Sequence, residues 1–206
     1  LGDVYKRQVK RPLDLITCDV LYSRFPQSKR FLFGVKYAFS ILDHCSGYRW
    51  IFPLKTLTAE EVIGKLLFFQ GPRKIRGMYS DCAIQLLNAC QKIFIYHDGS
   101  KKGISTSNGL IESAHKIIVN GGKAQCAHGL PICFLPLAAQ LYCHHVNICD
   151  VPGRKSSWAI MTGHPWRGKV FCFAQLVMFK PTPTGPPSES LTGRGGLLNS
   201  RHFCRI

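Results

Sequence analysis

Met78-Tyr79-Ser80-Asp81-Cys82, together with Ser107-Asn108-Gly109-Leu110-Ile111-Glu112, sets the architecture expected of this 206-residue chain. Residues 75–79 are a short apolar run of strand character that delivers Asp81 at its end. After a polar, glycine-bearing loop at 97–107, Ser107 or Asn108 caps a helix in which Leu110, Ile111, Ala114, Ile117 and Ile118 make one apolar face. Glu112, Lys116 and Asn120 fall on the other face, at i, i+4 and i+8. Alone, Glu112 and Lys116 read as a solvated ion pair worth a few tenths of a kcal/mol.

The acids upstream change that reading. Residues 13–21 are mostly apolar and suit a buried strand, yet Asp19 stands near their end. An unpaired carboxylate in such a strand costs several kcal/mol or is forced neutral, so it needs a reason to be there. Asp14 sits at the strand entry, where an exposed acid is ordinary. Hard divalent cations gather carboxylate oxygens, and two such ions clamp the attacking and leaving oxygens of a phosphodiester exchange. Asp19, Asp81 and Glu112 therefore point to metal-dependent cutting and joining of DNA.

Composition supports an anionic partner. Lys and Arg number 27 against 11 Asp and Glu, a net charge of +16, and apolar residues make up 46%, ample for a core. The basic residues cluster at 6–11, 29–30, 73–76, 101–102 and 154–155, which suits a broad surface on a nucleic-acid backbone more than one recognition helix. The ten cysteines include no Cys-x-x-Cys pair, and a chain this long and apolar needs no disulfide staples, so buried thiols are expected. Cys143-His144-His145 with Cys149 is the nearest approach to a zinc set, but consecutive helical residues point in different directions. No run reaches the roughly 18 apolar residues of a membrane span, and 130–146 is interrupted by two prolines, so no membrane is expected.

In chain order, residues 1–8 lack an initiator Met and read as translated adapter sequence. Residues 31–42 and 48–54 read as a hairpin around Asp43-His44-Cys45-Ser46-Gly47, with Asp43 assigned to the turn. Thr58-Ala-Glu-Glu61 is a capping box opening a helix that Gly71-Pro72 stops. Helical spacing covers 83–92, and 93–96 is a short strand. Gly121-Gly122 is expected to end the helix that carries Glu112, and another helix begins in earnest at Pro136. Residues 156–161 suit a short helix and 170–179 a strand pair or edge strand. From Lys180 a Pro-, Ser- and Gly-rich basic tail reads as disordered. The domain reading is 9–150 for the core, 151–180 for an irregular extension and 181–206 for the tail.

The order of elements, with acids on the first strand, the fourth strand and a later helix, resembles the ribonuclease-H-like core of retroviral integrases and related transposases. Shorter stretches resemble more specifically the copia-type retrotransposon integrase core: Arg11-Pro12-Leu13 leading to Asp19, Ile41-Leu42-Asp43, Tyr79-Ser80-Asp81, Asn108 to Glu112, Gly129-Leu130-Pro131 with Phe134, and Gly163-His164-Pro165. The resemblance spans about 10–180 and implies an α/β fold, a mixed five-stranded sheet flanked by helices. It further implies that Asp19, Asp81 and Glu112 hold two magnesium or manganese ions, and that Lys116 contacts DNA phosphate. Lys101, Lys102 and Asn108 join it on the DNA side, Asn108-Gly109 serving as a pivot for the preceding loop.

The implied reaction is water attack near a DNA 3′ end, then attack of the freed 3′-hydroxyl on target DNA. A homo-oligomer acting in the nucleus, after a cytoplasmic particle stage, goes with it. Three features depart from the family pattern. The Asp81–Glu112 spacing is shorter than in retroviral members, Cys82 and Gln85 replace an Asn and an acid, and Ser113 and His115 stand where Arg is usual. An inactive nucleic-acid-binding relic of a retrotransposon polyprotein, and a ribonuclease H on the same fold, are the competing readings.

Overall fold

The computed structural model describes residues 9–22, 31–99, 109–127 and 129–175. Five strands and five helices follow in the order β1 (Ile16–Tyr22), β2 (Tyr37–Asp43), β3 (Arg49–Leu54), α1 (Ala59–Gln70), β4 (Gly77–Ser80), α2 (Ile84–Lys92), β5 (Tyr96–Gly99), α3 (Gly109–Cys126), α4 (Leu135–Ile148) and α5 (Ser157–Thr162). The sheet order is β3-β2-β1-β4-β5. The β1–β2 and β2–β3 pairs are antiparallel, while β1–β4 and β4–β5 are parallel, which makes the sheet mixed as expected.

Alternation along the strands divides the core into two layers, because successive side chains leave opposite faces. Ile16 and Cys18 of β1, with Phe39, Ile41, Phe52 and Leu54, pack against Val62, Leu66 and Phe69 of α1 and Leu86, Ala89 and Cys90 of α2. On the other face Ile51 meets Ile118 of α3 and Ala139 and Cys143 of α4, and Leu42 meets Ile111 and Ala114 of α3. Burying each of the larger side chains stabilises by about 1.5–3 kcal/mol, so both layers hold the sheet. Asp19 belongs to the α3 face, one residue out of phase with the buried Cys18.

Several boundaries differ from the sequence reading. The Thr58 hydroxyl accepts from the Glu61 N–H at 3.2 Å, but the Glu61 carboxylate takes the Thr56 hydroxyl at 2.5 Å, so the expected box closes through a different donor. Residues 31–36 do not begin β2. They form a 3-10 turn at Leu32–Gly34 with Phe33 at φ 63°. β5 lies three residues later than expected, since the chain leaves α2 through Phe94 at φ 56° and pairs only where Tyr96 comes level with Gly77. Residues 170–175 contain no strand, and 176–206, including the expected tail, lie outside the described residues.

The most instructive difference is at Gly121-Gly122, which does not end α3. A Cβ on Gly122 would stand 3.1 Å from the Ala139 backbone N and Cα and from Leu135 Cδ1. The glycines let α3 and α4 approach closely, and the helix runs on to Cys126. Gly122→Val is therefore expected to cost about 1–3 kcal/mol by overpacking. A melting temperature equal to the parent's would refute the close-packing account.

The contacts of residues up to Gly168 form one unit, and Lys169 opens a second. Among the described residues no helix is long and apolar enough to cross a membrane.

Candidate functional site

Parallel pairing of β1 with β4 sets Ile16 beside Met78 and Thr17 beside Tyr79. Two residues further along each chain come Asp19 and Asp81, so the two aspartates reach the same end of neighbouring strands. Asp19 is half-buried and Asp81 exposed. Glu112 lies in the first turn of α3, which covers this face of the sheet, and is exposed.

The three carboxylates share one electrostatic environment. The Asp19 carboxyl is raised from 3.8 to about 6, chiefly by burial and further by repulsion from Asp81 and Glu112, against a lowering by the Val20 N–H. That N–H donates to Asp19 Oδ1 at 2.8 Å. Three carboxylates with no thiolate or imidazole among them are a hard-oxygen donor set, which fits magnesium or manganese. They do not form a closed cage: among the described residues, no three His, Cys, Asp or Glu side chains are gathered tightly enough to chelate one ion. Mutual repulsion opposes such gathering, and an ion between them would remove it.

Two serine–histidine pairs lie immediately behind the acids. Ser40, the cross-strand partner of Asp19, contacts His115 Nε2 and sends its hydroxyl toward the Asp19 carbonyl at 3.2 Å. The other ring nitrogen, His115 Nδ1, is 3.6 Å from Asp19 Oδ2. That contact is too long for a good hydrogen bond, and burial, which lowers the imidazole from 6.5 to about 4, disfavours a charged pair there. We read it as neutral imidazole beside a carboxyl. Ser80 contacts His97 Nε2 at 2.8 Å and the Asp81 carbonyl at 2.9 Å. Sequence reasoning gave no role to Ser40, Ser80 or His97 and met His115 only as a departure from a motif. No local signal marks Ser40, because strand register alone brings it opposite Asp19.

Asp43 and Asp14 have structural duties instead. Asp43 is fully buried; its Oδ1 accepts the Leu13 N–H at 2.8 Å, and its Oδ2 accepts the Ser46 N–H at 2.7 Å and the Ser46 hydroxyl at 2.6 Å. The turn assignment made from sequence matches this geometry. Asp14 takes the Arg11 N–H at 3.0 Å and pairs with Arg76 at 3.2 Å. Lys116 is exposed one turn beyond Glu112. Lys101, Lys102 and Asn108 lie outside the described residues.

The cysteine–histidine run does not converge on a point. Cys143 is in the core, where burial pushes its thiol up to about 12, while His144 meets the rings of Trp158 and Trp166 and His145 Nδ1 lies 3.3 Å from the Gln125 amide. No disulfide joins the cysteines of the described residues.

A pH test isolates Asp19. Its folded value lies above the ordinary one, so its stabilising contribution is present below about pH 4 and is lost as pH rises through about 6. His115 has the opposite sign: its contribution is present above 6.5 and is lost as pH falls through about 4. Relative to the parent, metal-free Asp19→Asn is expected to gain stability between pH 4 and pH 7. The difference between 3.8 and about 6 corresponds to about 3 kcal/mol at most. Denaturant titrations at both pH values check it, and an unchanged difference between the two proteins would contradict the raised Asp19 carboxyl.

No family model and no curated protein matches the sequence. In structure the chain is similar to the HTLV-2 integrase catalytic core domain in complex with magnesium (trimeric form), with 21% identity, a TM-score of 0.56, and coverage of 73% of this chain and 97% of that one. It is also similar to a chain of the simian T-cell lymphotropic virus intasome in complex with PP2A regulatory subunit B56 gamma, with 18% identity, a TM-score of 0.58, and coverage of 96% and 69%. The architecture is thus the ribonuclease-H-like one of integrase catalytic cores, α/β with a mixed five-stranded sheet flanked by helices.

Proposed function

We propose that this chain is the catalytic core of a retrotransposon integrase of the copia type, acting in metal-dependent DNA 3′-end processing and strand transfer. The observation that carries the reading is the parallel register that brings Asp19 and Asp81 to the same end of neighbouring strands, with Glu112 in the first turn of the helix packed over that face. A net charge of +16 and the integrase-core fold support a DNA partner.

Asp19, Asp81 and Glu112 would hold two magnesium or manganese ions, which when bound supply charge neutralisation and polarise the phosphodiester oxygens. The chain itself binds and orients. Lys116, exposed one turn past Glu112, meets a backbone phosphate beside the acids. Lys101, Lys102 and Asn108, which lie outside the described residues, would add to that contact. A hydroxyl aligned against the scissile phosphate would then react as though within one molecule, and that orientation can supply about 7–11 kcal/mol of the barrier. Joining two DNA ends calls for at least two copies of the chain, working in the nucleus. Cys82 and Gln85 favour a second reading, an inactive relic that keeps DNA binding.

The test is strand joining on duplex oligonucleotides with 3′-hydroxyl ends, with manganese or magnesium and with chelator as control. Longer, joined products that vanish with chelator are expected. DNA binding without joined products in any metal would leave the relic reading, and cleavage of an RNA–DNA hybrid in their place would mean a ribonuclease H. Binding should weaken linearly on a log–log plot against salt, and Lys116→Ala should reduce that slope by about 1 without changing sequence preference. A slope equal to the parent's would remove Lys116 from the interface.

A further inference from the structure

We propose that Ser40–His115 and Ser80–His97 are two matched struts that position Asp19 and Asp81 through their backbone carbonyls. The inference rests on the reading of these acids as metal ligands.

Both serines are fully buried, and each contacts the carbonyl oxygen of one candidate acid and the Nε2 of one histidine. A hydroxyl has one hydrogen to give. If Ser40 donates to the Asp19 carbonyl, it must accept from His115 Nε2–H, and the same holds for Ser80, the Asp81 carbonyl and His97 Nε2–H. Each chain of bonds then runs imidazole to hydroxyl to carbonyl.

The placement gives the chains a purpose beyond filling a core. Ser40 comes from β2 and His115 from α3, three residues beyond Glu112, so one strut joins the elements carrying two of the acids. Ser80 ends β4, and His97 on β5 lies opposite Met78. A bond to a carbonyl fixes the peptide plane that follows the aspartate, and with it the direction in which the side chain leaves the strand. Repulsion among Asp19, Asp81 and Glu112 works to spread them, and the struts resist that spreading before any cation arrives. Such supporting groups typically change metal affinity 10–100-fold when removed.

Thr17 supplies an internal control. Its hydroxyl contacts His44 Nε2, two residues before Asp19 on the same face of β1, without bonding the carbonyl of a candidate ligand. A role confined to satisfying buried polar groups predicts equal effects at all three pairs.

The experiment measures manganese binding to the whole chain by the electron spin resonance of the unbound ion, beside metal-free melting curves. Ser40→Ala and Ser80→Ala are expected to weaken manganese binding about 10-fold or more. Thr17→Val should leave it unchanged. His115→Gln, whose amide keeps a donor near Nε2, should retain more affinity than His115→Leu, and the two glutamine variants at 97 and 115 serve if the alanine proteins fail to fold. Manganese affinity unchanged in the serine variants while Asp81→Ala loses it would overturn the struts and leave the proposed function standing. Equal weakening by Thr17→Val would also overturn them. Unchanged binding in Asp81→Ala would remove the metal-ligand reading itself, and the struts with it.

Discussion

Alanine at Asp81 or at Glu112 is expected to lower strand joining by roughly 10²–10³-fold or more while leaving DNA binding intact. The argument is electrostatic. Each substitution deletes a hard anionic ligand from the candidate ion site, and with it the field that stabilises charge developing on the phosphorus oxygens. The same change makes a chain of net charge +16 more positive by one, so its attraction to phosphate cannot weaken for that reason. Asp19→Ala should behave alike, with one difference: it also removes the half-buried carboxylate whose ionisation is opposed by burial. Gel-resolved joining products and salt-dependent binding, measured on the same preparations, give the two numbers. Parallel loss of both would indicate misfolding, and loss of neither would place the chemistry elsewhere.

Asp43→Ala is expected to be the most destabilising single change, at about 3–5 kcal/mol. Asp43 is fully buried and accepts three hydrogen bonds, from the Leu13 N–H, the Ser46 N–H and the Ser46 hydroxyl. Alanine leaves these donors without their acceptor in the interior, and each such loss costs about 1–3 kcal/mol, with partial relief from water entry. The bond to Leu13 also ties the chain entering β1 to the end of β2, across 30 residues of sequence, so the loss reaches beyond a local turn. Asp43→Asn keeps one carbonyl oxygen but turns an amide toward donors, and an intermediate loss is expected. Equilibrium urea denaturation measures both. A cost below about 1 kcal/mol for alanine would show that the site relaxes and that the carboxylate is dispensable.

Asp43, Asp19 and Asp81 show how differently a sequence exposes its acids. Asp43 stands in Asp-His-Cys-Ser-Gly, a turn-forming composition, and its backbone-capping duty follows from local chemistry. Asp19 interrupts an apolar run near its end, where burial penalises a charge and makes it conspicuous, and Asp81 follows a second such run. Neither run reveals that the two residues lie level with each other. That follows from the parallel register that sets Ile16 beside Met78.

Helix ends were less legible. The Gly121-Gly122 pair has the local chemistry of a stop, yet close packing on Ala139 recruits it into the middle of α3. β5 was displaced for a related reason, since pairing with Gly77 to Ser80, not its own apolar content, selects Tyr96 to Gly99.

The amino-acid order by itself determined the alternation of strands and helices, the basic character of the surface and the identity of the acids, because hydrophobic period, turn chemistry and charge are properties of neighbouring residues. Tertiary structure alone decided which hydroxyl stands opposite Asp19, which histidines back Ser40 and Ser80, and how far α3 runs. Those depend on strand register and on the distance between packed helices, and both are set by contacts between residues separated by tens of positions in the chain.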